Sequence, residues 1–284
     1  MKVAVIGEKK RADAWEKHLR KLAVVNEVII ATKLFSDPVV DAVILIDDSR
    51  NNLHLLHDAI RAGLHSFLIS KLPDDQEMLE KVYHTSEEAN VAVQFSHWPS
   101  ITSSSQWIQQ QLDRVELIQI KKELRPLQYT VNVPEFDHHW IDEIAFIVKW
   151  LGGNVHRIES KPILVNDLPL GIHLSLRFED SSIASLQFSA FGSADFHQRI
   201  FSNRQLMADC NVMSQVVKLY RVNENKRVVV QEKKFDPSDT AEWALTQFLK
   251  SIQMNKKTVF SPLPVKVRVV SNSEFFGKLN VPGK

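Results

Sequence analysis

The sequence predicts an α/β fold: a doubly wound parallel sheet, followed by an α+β domain with an open, largely antiparallel sheet. Three observations lead there. Short β-branched runs alternate with amphipathic segments in the first part of the chain, which is the pattern of a parallel sheet covered on both faces. From about Val115 the extended runs lengthen and alternate apolar with polar residues, as a sheet with one solvated or partner-covered face does. Finally, 284 residues are enough for roughly two domains, each burying its own core. The division predicted is 1–114 and 115–284, with the C-terminal tail free to pack back on the first domain.

In the first domain the strands are Val3 to Ile6, Val24 to Ile30, Ala42 to Ile46, Phe67 to Ile69 and Val91 to Phe95. Between them, Ala12, Trp15, Leu19 and Leu22 share a helical face, and Leu53, Leu56 and Ile60 share another that stops at Gly63. Asp74 and Asp75 open a third helix through Met78, Leu79 and Val82, with carboxylates at its positive end. Thr32 to Val40 separates the second strand from the third.

In the second domain the extended runs are Val115 to Ile120, Val155 to Leu164, Ile172 to Phe178, Ile183 to Phe191, Val216 to Val222 and Val228 to Gln231. Asp180-Ser181-Ser182 supplies a hairpin turn. Ile141, Ile144, Ala145, Val148 and Leu151 mark one helix, ending at Gly152-Gly153. Ala241, Ala244, Leu245, Phe248 and Ile252 mark another.

Composition excludes several classes of partner. With 35 basic against 34 acidic side chains the formal charge is +1, so no net field favours nucleic acid or an anionic membrane. The lone Cys210 rules out an intrachain disulfide and reads as a buried structural thiol. No apolar run reaches the roughly 20 residues of a membrane span, and a cytoplasmic location is the default expectation.

The chemistry is concentrated at two places. After the first strand, a dinucleotide fingerprint G-x-G-x-x-G would keep Gly7, but Lys9 stands at its second glycine and Ala12 at its third. Lys9, Lys10 and Arg11 then occupy the positive end of a helix, where cations are unfavourable. They either bind a phosphate or an acidic partner by charge, or form a solvated first turn. No carboxylate ends the second strand to receive a ribose; Lys33 stands there instead, solvated or facing a 2′-phosphate. The other place is Glu135-Phe136-Asp137-His138-His139-Trp140-Ile141-Asp142. A histidine there can take the proton from an alcohol as hydride leaves, and a carboxylate one helical turn away can orient it. A polar helix start without chemistry, or a metal site, are the other readings of this cluster.

The order of these segments resembles the glucose-fructose oxidoreductase/inositol dehydrogenase/MocA (Gfo/Idh/MocA) family. The carrying residues are Val3-Ala4-Val5-Ile6-Gly7, Asp41 to Ile46 with His54 and Ala62-Gly63-Leu64-His65, Ser70-Lys71-Leu72-Pro73, and His138 to Asp142 leading to Trp150-Leu151-Gly152. The resemblance implies a Rossmann-like nucleotide-binding domain followed by a substrate and oligomerisation domain. It further implies NAD or NADP as cofactor, a sugar-like or cyclitol-like substrate, and a homodimer or homotetramer formed through the second-domain sheet. It assigns acid/base chemistry to His139, three residues before Asp142, with His138, four residues before Asp142, as the alternative. Polarisation of the reacting oxygen goes to Lys71 by a one-residue slip, an ungapped count from Gly63 landing on Ser70; Glu135 and Asp142 give support. The family has a longer segment between its second and third strands than Thr32 to Val40, so the resemblance implies a trimmed sheet. Around the cofactor it places Gly7, Lys9, Lys10, Arg11, Asp47, Ser49 and His54. The departures carry their own expectation: Ser70 and Leu72 flank Lys71 where the family has Glu and Pro, and Asp47-Asp48-Ser49 replaces an Ala-Thr-Pro loop with carboxylates that repel phosphate. Two functions follow, an NAD(P)-dependent oxidoreductase or a non-catalytic descendant that binds a ligand or assembles.

Overall fold

The computed structural model describes residues 1–34, 40–49, 51–70, 75–96, 102–125, 133–166, 168–237 and 239–254. The parallel strands are β1 (Lys2–Gly7), β2 (Glu27–Ala31), β3 (Ala42–Ile46), β4 (His65–Ile69) and β5 (Val93–Phe95), in the order β2-β1-β3-β4-β5. Helices α1 (Lys9–Leu19), α2 (Asn52–Arg61) and α3 (Gln76–Glu88) connect them. The chain leaves β1 for β2 on one side and returns to β3 on the other, so strand order reverses between β1 and β3. In an open α/β sheet, ligands sit outside the carboxyl ends of the strands at such a switch point. Among the described residues β2 is the sheet's edge, as the short link to β3 predicts.

Central strand β3 is buried at all five positions, which explains its unbroken apolar sequence. Its two faces feed two cores. On one, Val43 and Leu45 meet Leu53, Leu56 and Ile60 of α2 and Leu79 and Val82 of α3. On the other, Ile44 meets Ala12 and Leu19 of α1 and a distant segment, the helix α6 (Asp239–Gln253) with Ala244, Leu245, Phe248 and Leu249. Helix α1 ends at Leu19, and Leu22 packs on this core from beyond the helix. Helix α2 ends as its sequence predicts: Gly63 takes φ +75°, its N–H bonds to Ile60 O and that of Leu64 to Ala59 O. At the start of α3, Asp75 accepts from the Met78 N–H; Asp74 lies outside the described residues.

The second unit holds α4 (Ser103–Gln111), β6 (Leu117–Glu123), α5 (Val133–Leu151) and seven further strands. These are β7 (Val155–Val165), β8 (Leu168–Phe178), β9 (Ile183–Ser189), β10 (Phe196–Ser202), β11 (Leu206–Asn211), β12 (Val216–Val222) and β13 (Val228–Lys234). They form one eight-stranded sheet in the order β13-β12-β11-β10-β6-β9-β8-β7, antiparallel except where β6 meets β9. Three elements differ from the sequence reading. Helix α4 and strands β10 and β11 are present where none was predicted. Strand β13 runs past Gln231 to Lys234, and Lys233 lies over the rings of Trp107 and Phe235.

The chain divides into two compact units at 101/102, earlier than the expected 114/115, and the first unit also takes α6. Helix α4 belongs to the second unit because Ser104 donates to Gln215 at 2.7 Å and Trp107 packs on Phe235. Among the described residues no helix is long and apolar enough to cross a membrane.

Candidate functional site

The site in the first unit begins with Gly7. A Cβ at this position would lie 2.8 Å from both the Cβ and the carbonyl oxygen of Ile46 on β3, so only glycine lets β1 end this close to its neighbour. The chain then turns through Glu8 into α1. Glu8 makes no side-chain capping bond, and the first turn of α1 holds no acid. The free N–H groups and the positive end of the helix therefore face outward beside Lys9 and Lys10, both exposed.

Between this turn and the end of β2 lies an open pocket of about 580 Å³, lined by Gly7, Lys9, Asp13, Ile30, Ala31, Thr32 and Lys33. Its volume falls inside the roughly 300–1,000 Å³ range of small-molecule sites. Ile30 and Ala31 give an apolar seat, Ile30 being 36% exposed. Lys9 and Lys33 are contributed by different elements to the same pocket. Asp13 supplies the carboxylate that the end of β2 lacks. It stands on α1, one turn after Lys9, where a search for an acid after the second strand does not look.

On the other side of Gly7, at the switch point, the arrangement is different. Arg11 Nη1 donates to Asp48 Oδ2 at 2.6 Å, tying the first turn of α1 to the loop after β3. Asp47 accepts from the backbone N–H of Ser49 at 2.8 Å and from its hydroxyl at 2.9 Å. Arg11 and Asp48 are thus bonded to each other, and Asp47 is engaged by Ser49. His54 is exposed on α2, whereas His57 one turn on is buried, and burial pulls its pKa down.

In the second unit, α5 carries the predicted acid/base cluster. The backbone of Glu135, His138 and His139 is helical, their side chains lying outside the described set, and Asp142 is half-buried one turn after His139. Lys71 lies outside the described residues. A neighbouring group escaped the sequence reading. Glu143, beside Asp142, is 1% exposed and takes two bonds of 2.9 Å from Arg199 on β10, while His197 Nε2 approaches it at 3.2 Å. Burial alone would raise the Glu143 carboxyl, but Arg199 and His197 outweigh it and hold the pKa well below the ordinary value. Arg199 also lies over the Phe146 ring, 4.3 Å from its centroid. Two turns beyond Asp142, burial pulls Lys149 down to about 8.

No family model matches this sequence, and no curated protein matches it. Solved structures do. An NAD binding oxidoreductase from Klebsiella pneumoniae superposes with a TM-score of 0.81 at 10% identity, over 98% of this chain and 97% of that one. UDP-N-acetylglucosamine 3-dehydrogenase GnnA from Acidithiobacillus ferrooxidans gives 0.80 at 11% identity, over 98% and 97%. A dehydrogenase from Chromobacterium violaceum gives 0.78 at 13%, over 99% and 97%. At such identity the likeness is one of fold, and it extends through both units.

Proposed function

We propose that the chain is an oxidoreductase of the Gfo/Idh/MocA type that uses a nicotinamide dinucleotide and acts at a hydroxyl of a sugar-like or cyclitol-like substrate. The observation that carries this reading is the pocket between Gly7, α1 and the end of β2, on a fold shared end to end with dehydrogenases. The residues present fit the adenosine half of such a cofactor. Ile30 and Ala31 offer a face for the base, while Asp13 and Thr32 offer hydrogen-bond partners for a ribose and Lys9 and Lys33 offer charge for a phosphate. Gly7 keeps the close strand approach that a fingerprint glycine provides.

When bound, the dinucleotide supplies or accepts the hydride. The chain's own part is proton transfer and positioning. His139 takes the proton of the substrate hydroxyl during oxidation and returns it during reduction. Lys71 polarises the same oxygen, and Glu135 or Asp142 orients the imidazole. The substrate class follows the resemblance and agrees with GnnA, whose name specifies a sugar nucleotide. Assembly through the open face of the second sheet belongs to the same proposal. There Ile183, Leu117, Ser202, Met207, Tyr220 and Val230 align in cross-strand register, with Ile183 and Met207 each 37% and Val230 49% exposed. A second copy covering this row would bury it.

The Arg11–Asp48 pair and Lys9 at the second fingerprint position favour the other reading, a descendant that keeps the fold without turnover. Thermal denaturation with NADH, NADPH and their oxidised forms separates the two. A cofactor at about 100 times its Kd adds about 2.7 kcal/mol of stability; no shift with any of the four at millimolar concentration retires the oxidoreductase. If binding is found, His139→Ala is expected to abolish turnover while leaving cofactor affinity unchanged.

A further inference from the structure

The charges on the two sides of Gly7 are unequal, and the inequality specifies which phosphate the site reads. On the β2 side, two lysines face one carboxylate, Asp13. Among the described residues neither Lys9 nor Lys33 is ion-paired, so both are available to an anion entering the pocket. On the switch-point side, one arginine faces two carboxylates, and Arg11 is already bonded to Asp48 at 2.6 Å. A pyrophosphate arriving there meets Asp47 and Asp48 and must compete with an intramolecular carboxylate for the one nearby guanidinium. Lys9, in place of a glycine, also puts a side chain where backbone would otherwise approach the pyrophosphate closely.

Resting on the dinucleotide reading above, we infer that this site draws its charge recognition from a ribose 2′-phosphate held by Lys9 and Lys33 rather than from the pyrophosphate. It is therefore selective for NADP(H) over NAD(H). Asp48 acts as a specificity-determining residue by keeping Arg11 from the pyrophosphate. A dinucleotide without the 2′-phosphate then has only the weakened half of the site. One with it meets Lys9 and Lys33 together at a solvent-exposed pocket, an attraction that salt screens.

Titration calorimetry of the full chain with NADH, NADPH and adenosine 2′,5′-bisphosphate tests this. NADPH is expected to bind at least tenfold more tightly than NADH, and the bisphosphate to compete with NADPH. Lys33→Glu should cost NADPH at least tenfold and leave NADH within about twofold, with Lys33→Gln intermediate. Asp48→Asn should tighten NADH severalfold and so narrow the preference. These positions are exposed or half-exposed, and circular dichroism checks that each variant is folded. Equal affinity for NADH and NADPH overturns the inference and leaves the oxidoreductase proposal standing. Binding of the bisphosphate without either dinucleotide upholds the phosphate pocket and overturns the oxidoreductase. No binding of any of the three overturns both.

Discussion

A side chain at position 7 has no room, because the backbone of β3 already occupies the space a Cβ would take. Gly7→Ala places that carbon 2.8 Å from the Ile46 carbonyl oxygen, so β1 and β3 must part. Overpacking of this kind costs about 1–3 kcal/mol, and urea denaturation should show a lower midpoint with an unchanged slope. A second residue-scale prediction concerns Glu143 and Arg199, each 1% exposed. Glu143→Gln leaves the guanidinium buried without its counter-charge, a change that typically costs about 3–5 kcal/mol. The double variant Glu143→Leu with Arg199→Met removes both charges and should recover most of that loss. Equal midpoints for the single variant and the parent would show that the pair adds nothing. At this scale the sequence was readable where backbone geometry constrains residue type, as at Gly7 and Gly63. Asp13 was hidden because an acid for a ribose is sought after the second strand, whereas α1 brings this one to the pocket from its own face. Arg11 and Asp48 were each noticed, but their pairing joins residues far apart in the chain, and neither carries a mark of the other.

Periodicity located the elements whose buried positions are large and apolar and missed those whose buried positions are polar or small. Strand β10 turns His197, Arg199 and Phe201 toward the covered face of the sheet, so two of its three inward residues are polar and the alternation disappears. Its neighbour β11 buries only Ala208 and Cys210, which are small. Helix α4 reads Ser-Ser-Ser-Gln-Trp-Ile-Gln-Gln-Gln, with almost no apolar stripe, and is fixed instead by its cap, Thr102, and by the Ser104–Gln215 bond. Side-chain bonding also sets a pH limit on β4. His65 Nδ1 accepts the Ala92 N–H at 2.9 Å, which requires that nitrogen to be unprotonated. Burial lowers the His65 pKa and Asp41 opposes it only in part. The unfolded chain, near pKa 6.5, therefore takes up the proton first. Stability is full above about pH 6.5 and falls as pH drops below it toward the folded value, because the unfolded state then binds more protons. His57 and His197 are shifted the same way and add to the slope. His65→Gln, whose amide oxygen accepts at every pH, should flatten the urea midpoint against pH between about 7 and 5. An unchanged slope would assign the dependence to the other two.

At the scale of the whole molecule, the first core is not built from consecutive chain. One face of the parallel sheet is closed by α1 together with α6, which returns after the second unit is complete. Ala244, Leu245, Phe248 and Leu249 are fully buried against the layer that contains Val3, Ile44 and Phe67, and Phe248 meets the Phe67 ring with centroids 5.6 Å apart. Gln94 Nε2 on β5 donates to the Ala244 carbonyl at 3.3 Å, and Glu242 bonds both His18 and Lys21 near the end of α1. A division of the sequence by composition cuts between these partners, because nothing in the helical pattern of 239–253 says which sheet it will cover. The first unit cannot complete its core without that helix. Residues 1–101 expressed alone are expected to be aggregated or to lack cooperative unfolding, since Val3, Val5 and Phe67 lose much of their cover. The same fragment carrying 238–254 through a flexible glycine-serine linker is expected to unfold in one transition, and to retain whatever nucleotide affinity the pocket beside Gly7 possesses. Replacing Phe248 by Ala in the fused fragment should lower its midpoint by the equivalent of about 3–5 kcal/mol. A cooperative, soluble 1–101 would instead mean that α6 is only laid on a sheet already stable without it.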